Sequence, residues 1–211
     1  LAVSETGGGS DVAALKTFAR KDGDDYIVDG EKMWITNAKQ ADFFCTLVNT
    51  SNESPHKNKS LILIPATAAG LTIGDKIEKL GQHTSDTAPI FFDSVRVPQR
   101  YCIGKEGEGF KIQMQHFQEE RIFLSASILI VLEKCISKTI EFCQDRHAFG
   151  KAIIENQSIQ FRLAELQTEV EALRALIYQA CENFILGEDM TYLASMAKLK
   201  SGRLAREVSD T

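Results

Sequence analysis

Long apolar runs are missing from this 211-residue sequence. The longest, around Ile128-Leu129-Ile130-Val131-Leu132, is flanked by polar residues and falls well short of the ~18–20 residues that a membrane-spanning helix needs, so no membrane span is expected. Basic excess is missing too: 24 Lys and Arg stand against 29 Asp and Glu, a formal charge of −5. A protein that grips nucleic-acid phosphates needs clustered cations instead, so no nucleic-acid partner is expected. No CxxC pair occurs, and the five cysteines are an odd number. Cys135 and Cys143 are too far apart for a zinc knuckle and have no histidine at ligand spacing, so no metal is expected and a reduced, intracellular protein is the simplest reading. No signal or transit peptide is visible. The chain opens at Leu1 in a glycine-rich loop and stops at Thr211 inside a helical pattern, which reads as a piece of a longer polypeptide.

What remains is an ordinary globular composition, 44% hydrophobic, with a length that suits one large domain or two small ones. Two halves differ in periodicity. Residues 1–100 read as β. Tyr26-Ile27-Val28 and Lys32-Met33-Trp34-Ile35-Thr36 flank Asp29-Gly30, a hairpin signal because both positions tolerate positive φ. Further strands are expected at Asp42–Asn49, Ser60–Pro65, Leu71–Lys79 and Ala88–Val97, rich in β-branched and aromatic residues. Residues 105–211 read as helix. Ile159, Leu163, Leu166, Val170, Leu173, Ile177, Ala180 and Phe184 step by three and four, the seam of an amphipathic helix, with Gly187 as its stop. Leu193, Met196, Leu204 and Val208 mark another helix. Arg121–Gln144 is a third, whose apolar first half, Ile122–Leu132, suggests burial on most sides. Gly104-Lys105-Glu106-Gly107-Glu108-Gly109 is the natural joint. The expected fold class is α+β: a β-barrel or sandwich domain over residues 1–103, then the first part of an antiparallel α-helical bundle over 104–211.

Four motifs carry chemical potential, each with a plain alternative. In Val3-Ser4-Glu5-Thr6-Gly7-Gly8-Gly9-Ser10-Asp11 three glycines let backbone N–H groups approach an anion; the same residues also suit a flexible surface loop. In Met33-Trp34-Ile35-Thr36-Asn37 the only tryptophan and a hydroxyl two residues on share one strand face. They suit a flat aromatic ligand, or a core tryptophan with a satisfied threonine. Arg146-His147-Ala148-Phe149-Gly150-Lys151 could grip a pyrophosphate, or merely complement a helix C-terminus. Gln118-Glu119-Glu120-Arg121 could present a carboxylate base at the mouth of a buried helix, or a solvated acidic helix start.

Taken together, in this order and at these separations, the motifs resemble the acyl-CoA dehydrogenase family. Its T/S-E-P-G-A-G-S-D loop, M-W-I-T-N, S-D-T, V-P…G…G-F joint, E-R helix start, R-x-x-F-G-K and downstream Q correspond to Ser4–Asp11, Met33–Asn37, Ser85-Asp86-Thr87, Val97–Phe110, Glu120-Arg121, Arg146–Lys151 and Gln157. The match spans essentially the whole chain. It departs from the family pattern at Thr6 (usually Pro) and Gly8 (usually Ala), which leaves the loop less pre-organised, and at Ala38 (usually Gly) after Thr36-Asn37. The resemblance implies FAD as cofactor. Val3, Ser4, Gly9, Ser10, Trp34, Ile35 and Thr36 would contact it from one subunit, and Arg146, Phe149 and Gln157 would reach the FAD of a neighbour in a homo-oligomer, a tetramer or dimer. Ser10, Gln118, Glu119, Glu120 and Arg121 would line the acyl-CoA path. The implied reaction is α,β-dehydrogenation of an acyl-CoA, with electrons passed to an electron-transfer flavoprotein. An O2-using oxidase and a non-catalytic relative are the alternatives. Most of the family keeps its base in a C-terminal tail, whereas the isovaleryl and long-chain branches place a Glu directly before Arg. Glu120 fits the second pattern, with Glu119 as its rival. Such a protein would be cytoplasmic in a bacterium and mitochondrial-matrix in a eukaryote. Branched short-chain, terpenoid and straight long-chain thioesters all remain open as substrates.

Overall fold

The computed structural model describes residues 1–211 and divides into two compact units, Leu1–Met114 and Gln115–Thr211.

The first unit is built on a seven-stranded mixed sheet of order β5-β6-β2-β1-β3-β4-β7. Its strands are β1 (Phe18–Asp22), β2 (Asp25–Thr36), β3 (Phe43–Asn49), β4 (Lys59–Pro65), β5 (Leu71–Ile73), β6 (Thr87–Pro98) and β7 (Cys102–Ile103). Every ladder is antiparallel except the short β1–β3 contact at Phe18↔Asn49. One apolar face closes the core, where Val28, Phe44, Ile62, Ile64, Ile90 and Val95 are almost wholly buried.

Two strand expectations need correction. Asp29-Gly30 is no hairpin. β2 runs straight through it with a bulge between Val28 and Gly30, and the turn lies earlier, where β1 meets β2 at Asp22↔Asp25 across Gly23 at φ +60°. Gly30 is required for closeness: at φ +138°, a Cβ there would stand 2.8 Å from the Thr17 Cα. β1 was hidden because its sequence, Phe-Ala-Arg-Lys-Asp, buries only Ala19 and shows no apolar alternation. The strand expected over Leu71–Lys79 ends at Ile73, and the chain then reaches β6 mostly through irregular backbone.

The second unit holds most of α1 (Gly109–Asp145), a hairpin of β8 (His147–Ala148) and β9 (Lys151–Ala152), α2 (Gln157–Ile185) and α3 (Thr191–Ser209). The α2 seam is buried as its spacing predicts at Leu163, Leu166, Val170, Leu173, Ile177 and Ala180. Phe184 is the exception, at 52% exposed. Gly187, at φ +73°, follows the end of α2. Ile122, Leu129, Leu132 and Ile136 of α1 join the same core. The rest of α1's apolar half is not buried in this chain: Phe123, Leu124, Ile130 and Val131 are all exposed. α1 thus turns one apolar stripe toward α2 and α3 and leaves its opposite side uncovered by them.

Candidate active site

The glycine-rich loop is tied down at its root. Glu5 is buried, and its carboxylate accepts hydrogen bonds from the Thr17 N–H (2.9 Å), the Thr17 hydroxyl (2.6 Å) and the Lys16 N–H (2.6 Å). The fully buried Lys32 ammonium lies 2.9 Å from Glu5 and also donates to the Val3 carbonyl at 3.0 Å. Burial alone would push the Glu5 carboxyl up; Lys32's charge and the Thr17 and Lys16 donors outweigh it and hold the group below the ordinary carboxylate range. For Lys32 burial wins over Glu5's attraction and pushes the ammonium down to about 8. Both groups therefore remain charged at neutral pH. The consequence for the site is positional. The Met33 N–H donates to the Ser4 carbonyl at 2.8 Å, so the loop runs beside the strand that carries Trp34.

Trp34 sits on a second β2 bulge, between Lys32 and Ile35, at φ +59°. A bulky residue in the left-handed region is strained, by of order 1–3 kcal/mol, and such strain persists only where the surroundings impose it. Here it turns the indole outward, 51% exposed. Ile35 packs into the core, leaving only its backbone for a ligand, while Thr36 is exposed on the Trp34 side. Ser85-Asp86-Thr87 braces the end of this strand. The Asp86 carboxylate accepts from the Lys39 N–H (2.8 Å) and the Gln40 amide (3.0 Å), and its carbonyl from the Asn37 N–H (2.9 Å). Slight burial would raise Asp86, but the Lys39 and Gln40 donors hold it below the usual range.

These residues fit a flat, anionic, nucleotide-like cofactor. Space beyond Gly7 and Gly8 is open, whereas a Cβ on Gly9 would strike the Ser4 hydroxyl at 2.6 Å. The Gly8 N–H is already given to the Glu5 carbonyl at 3.0 Å, so the loop can present bare backbone to a phosphate at Gly7 while closing on Ser4 at Gly9. Ser10 is exposed at the end of the loop, and the Val3 side chain is buried.

In the second unit the carboxylate cluster lies on α1. Gln118 accepts from the Arg121 guanidinium at 2.9 Å. Glu120 lies 3.3 Å from His116 Nε2, and Glu119 lies 3.9 Å from His116 Nδ1. The Glu120 side chain is 42% exposed, so the dry surroundings expected of a carbon-acid base are not supplied by this chain. His116 was missed in the sequence reading, although a histidine four residues before a glutamate on a helix is a legible signal. Arg146 follows the end of α1 and makes no side-chain hydrogen bond or ion pair. Beyond it β8 and β9 are joined by Phe149-Gly150, at φ +54° and +81°, a two-residue turn with both φ positive. Phe149 stands fully exposed at the tip. Gln157 opens α2.

The chain thus joins a mixed-sheet unit that carries an outward indole beside a glycine loop to a helical unit that carries a carboxylate cluster on its first helix. Sequence comparison makes the assignment. Residues 1–95 match the middle-domain model of acyl-CoA dehydrogenases and residues 107–211 the C-terminal-domain model. The chain belongs to the acyl-CoA dehydrogenase family, whose members are flavoproteins. It is 37% identical over 205 residues to the short/branched chain specific acyl-CoA dehydrogenase of Bos taurus mitochondria, covering 97% of this chain and 48% of the relative. It is 35% identical over 208 residues to the mitochondrial short-chain specific acyl-CoA dehydrogenase of Rattus norvegicus, covering 99% and 50%. The crystal structure of acyl-CoA dehydrogenase from Geobacillus kaustophilus superposes with a TM-score of 0.95 at 37% identity, over 99% of this chain and 56% of that one. The chain thus spans about half the length of the relatives it matches.

Proposed function

We propose that the full-length protein carries out FAD-dependent α,β-dehydrogenation of an acyl-CoA thioester to the trans-2-enoyl-CoA and passes the electrons to an electron-transfer flavoprotein. The observation that carries this reading is the strained, outward Trp34, set beside the Ser4 carbonyl by Lys32 and Glu5. Strain of that kind is retained where a ligand uses it.

In this reading Ser4 and Thr36 hydrogen-bond the flavin ring, Trp34 packs on it, and Gly9 and Ser10 run along the pyrophosphate. Arg146, Phe149 and Gln157 serve the flavin of a neighbouring subunit. FAD, when bound, supplies the acceptor for the hydride leaving Cβ. Glu120 takes the Cα proton; a carboxylate is a competent base for so weak an acid only when removed from water. Gln118 and Arg121, already joined, flank the acyl-CoA path, with Glu119 and Ser10. The relatives' names point to short and branched acyl groups. The Glu-Arg pattern is shared by the isovaleryl and long-chain branches and does not by itself choose between them. The compartment would be the mitochondrial matrix in a eukaryote and the cytoplasm in a bacterium. No helix is long and apolar enough to cross a membrane.

The test is anaerobic bleaching of the flavin absorbance by a panel of acyl-CoAs, in the full-length protein and its Glu120→Gln variant. The expected result is bleaching in the wild type, strongest with short branched thioesters, and none in a variant that still holds FAD. A variant that bleaches as fast as wild type would remove Glu120 from the role of base. Failure of every thioester would remove the activity. Fast reoxidation in air would replace the flavoprotein acceptor with O2.

A further inference from the structure

We propose that His116 is a positioning residue for Glu120, holding one carboxylate oxygen so that the other faces the substrate's Cα. This rests on Glu120 as the base. The two residues lie one turn apart on α1, and Nε2 of His116 stands 3.3 Å from the nearer Glu120 oxygen, an ion-pair contact that lacks the alignment of a hydrogen bond. Contacts of this kind are often long in ligand-free sites and tighten when substrate binds. The second imidazole nitrogen, 3.9 Å from Glu119, is too distant for a direct hydrogen bond. The ring thus favours Glu120 over its neighbour, separating two carboxylates that the sequence alone leaves as rivals.

The chemistry of the partner matters as much as its place. A permanent cation against Glu120 would stabilise the carboxylate and weaken it as a base. The nearest permanent cation in sequence, Arg121, is engaged by Gln118 at 2.9 Å and forms no ion pair with Glu120. An imidazole can donate a hydrogen bond without carrying a fixed charge. It can therefore orient the carboxylate without the loss of basicity that lysine or arginine would bring. His116 and Glu120 are both about half exposed, at 50% and 42% of their side-chain surface, so neither is needed to hold the helix core together.

The experiment uses the FAD-loaded full-length protein and stopped-flow bleaching by the best acyl-CoA, with KM measured separately. H116A should keep its flavin and its KM while bleaching about tenfold or more slowly, the scale on which misplacing a reacting group acts. H116Q, which can still donate, should recover most of the rate. H116K, which donates but adds a fixed charge, should stay slow. E120Q is the control that separates the two ideas. If E120Q is inactive and H116A bleaches at the wild-type rate, the positioning role is overturned and the base stands. Equal losses in H116A, H116Q and H116K would also overturn it, as the mark of simple packing. If E120Q bleaches normally, the base assignment falls and the role of His116 falls with it.

Discussion

Lys32 is the residue whose environment is most at odds with its chemistry. It is a lysine with no exposed surface, and its charge is balanced only by Glu5 and a backbone carbonyl. Removing one partner of a buried pair leaves the other charge uncompensated, which costs about 3–5 kcal/mol. Lys32→Met should lower the stability of the first unit by about that amount in chemical denaturation, and the double variant Glu5→Gln, Lys32→Met should recover much of it. The pH dependence has a definite sign. The folded Glu5 carboxyl lies below its ordinary value of 4.5, so its contribution is complete above that value and is lost as pH falls through the folded one. Lys32 acts oppositely. Its ammonium is disfavoured by burial at all pH below about 8, and that penalty is relieved as pH climbs from about 8 toward 10.5. Acid titration of wild type against the double variant should show the wild type losing more stability below pH 4.5.

At the scale of elements, glycine and phenylalanine in left-handed backbone make opposite predictions. Gly30→Ala adds a Cβ 2.8 Å from the Thr17 Cα at φ +138°, in strand β2 and against backbone that cannot swing aside. It should cost more than ~1 kcal/mol, read as a fall in the denaturation midpoint. Phe149→Gly relieves a residue at φ +54° whose ring touches solvent. It should leave stability unchanged or slightly higher while weakening FAD retention in the assembled protein, measured by the flavin-to-protein absorbance ratio. The helices were legible because their seams repeat: Leu163 through Ala180 needed only a period. The Asp29-Gly30 reading failed because the same dipeptide serves a bulge as well as a turn, and what decides between them is Thr17, a dozen residues upstream. β1 was illegible because it is held by neighbours, not by its own apolar face. The loop, the Trp34–Thr36 pair and Glu120 were singled out by the joint order and spacing of the motifs, since each alone also suited a plain structural role. The Glu5–Lys32 clamp could not, because two opposite charges 27 residues apart look solvated until the chain folds.

For the whole molecule, the residues proposed to hold FAD lie on both compact units, Trp34 and Thr36 on the first and Arg146 and Phe149 on the second. If the second set serves a neighbour, a subunit defective at Thr36 and a subunit defective at Arg146 should complement each other. Co-expressed Thr36→Ala and Arg146→Ala chains should retain more FAD than either variant alone, since a mixed oligomer contains one intact combination. No recovery in mixed oligomers verified by mass would show that each subunit holds its own flavin. Trp34 is also the only tryptophan in the chain, and its indole is half in water. This chain therefore carries one indole fluorophore, and it stands where the cofactor is proposed to rest. Emission excited at the indole band should be quenched and blue-shifted as that face is covered, which gives a label-free occupancy signal. The same probe is blind to the second unit, so a fluorescence melt and a circular-dichroism melt that diverge would resolve the unfolding of the sheet from that of the helices.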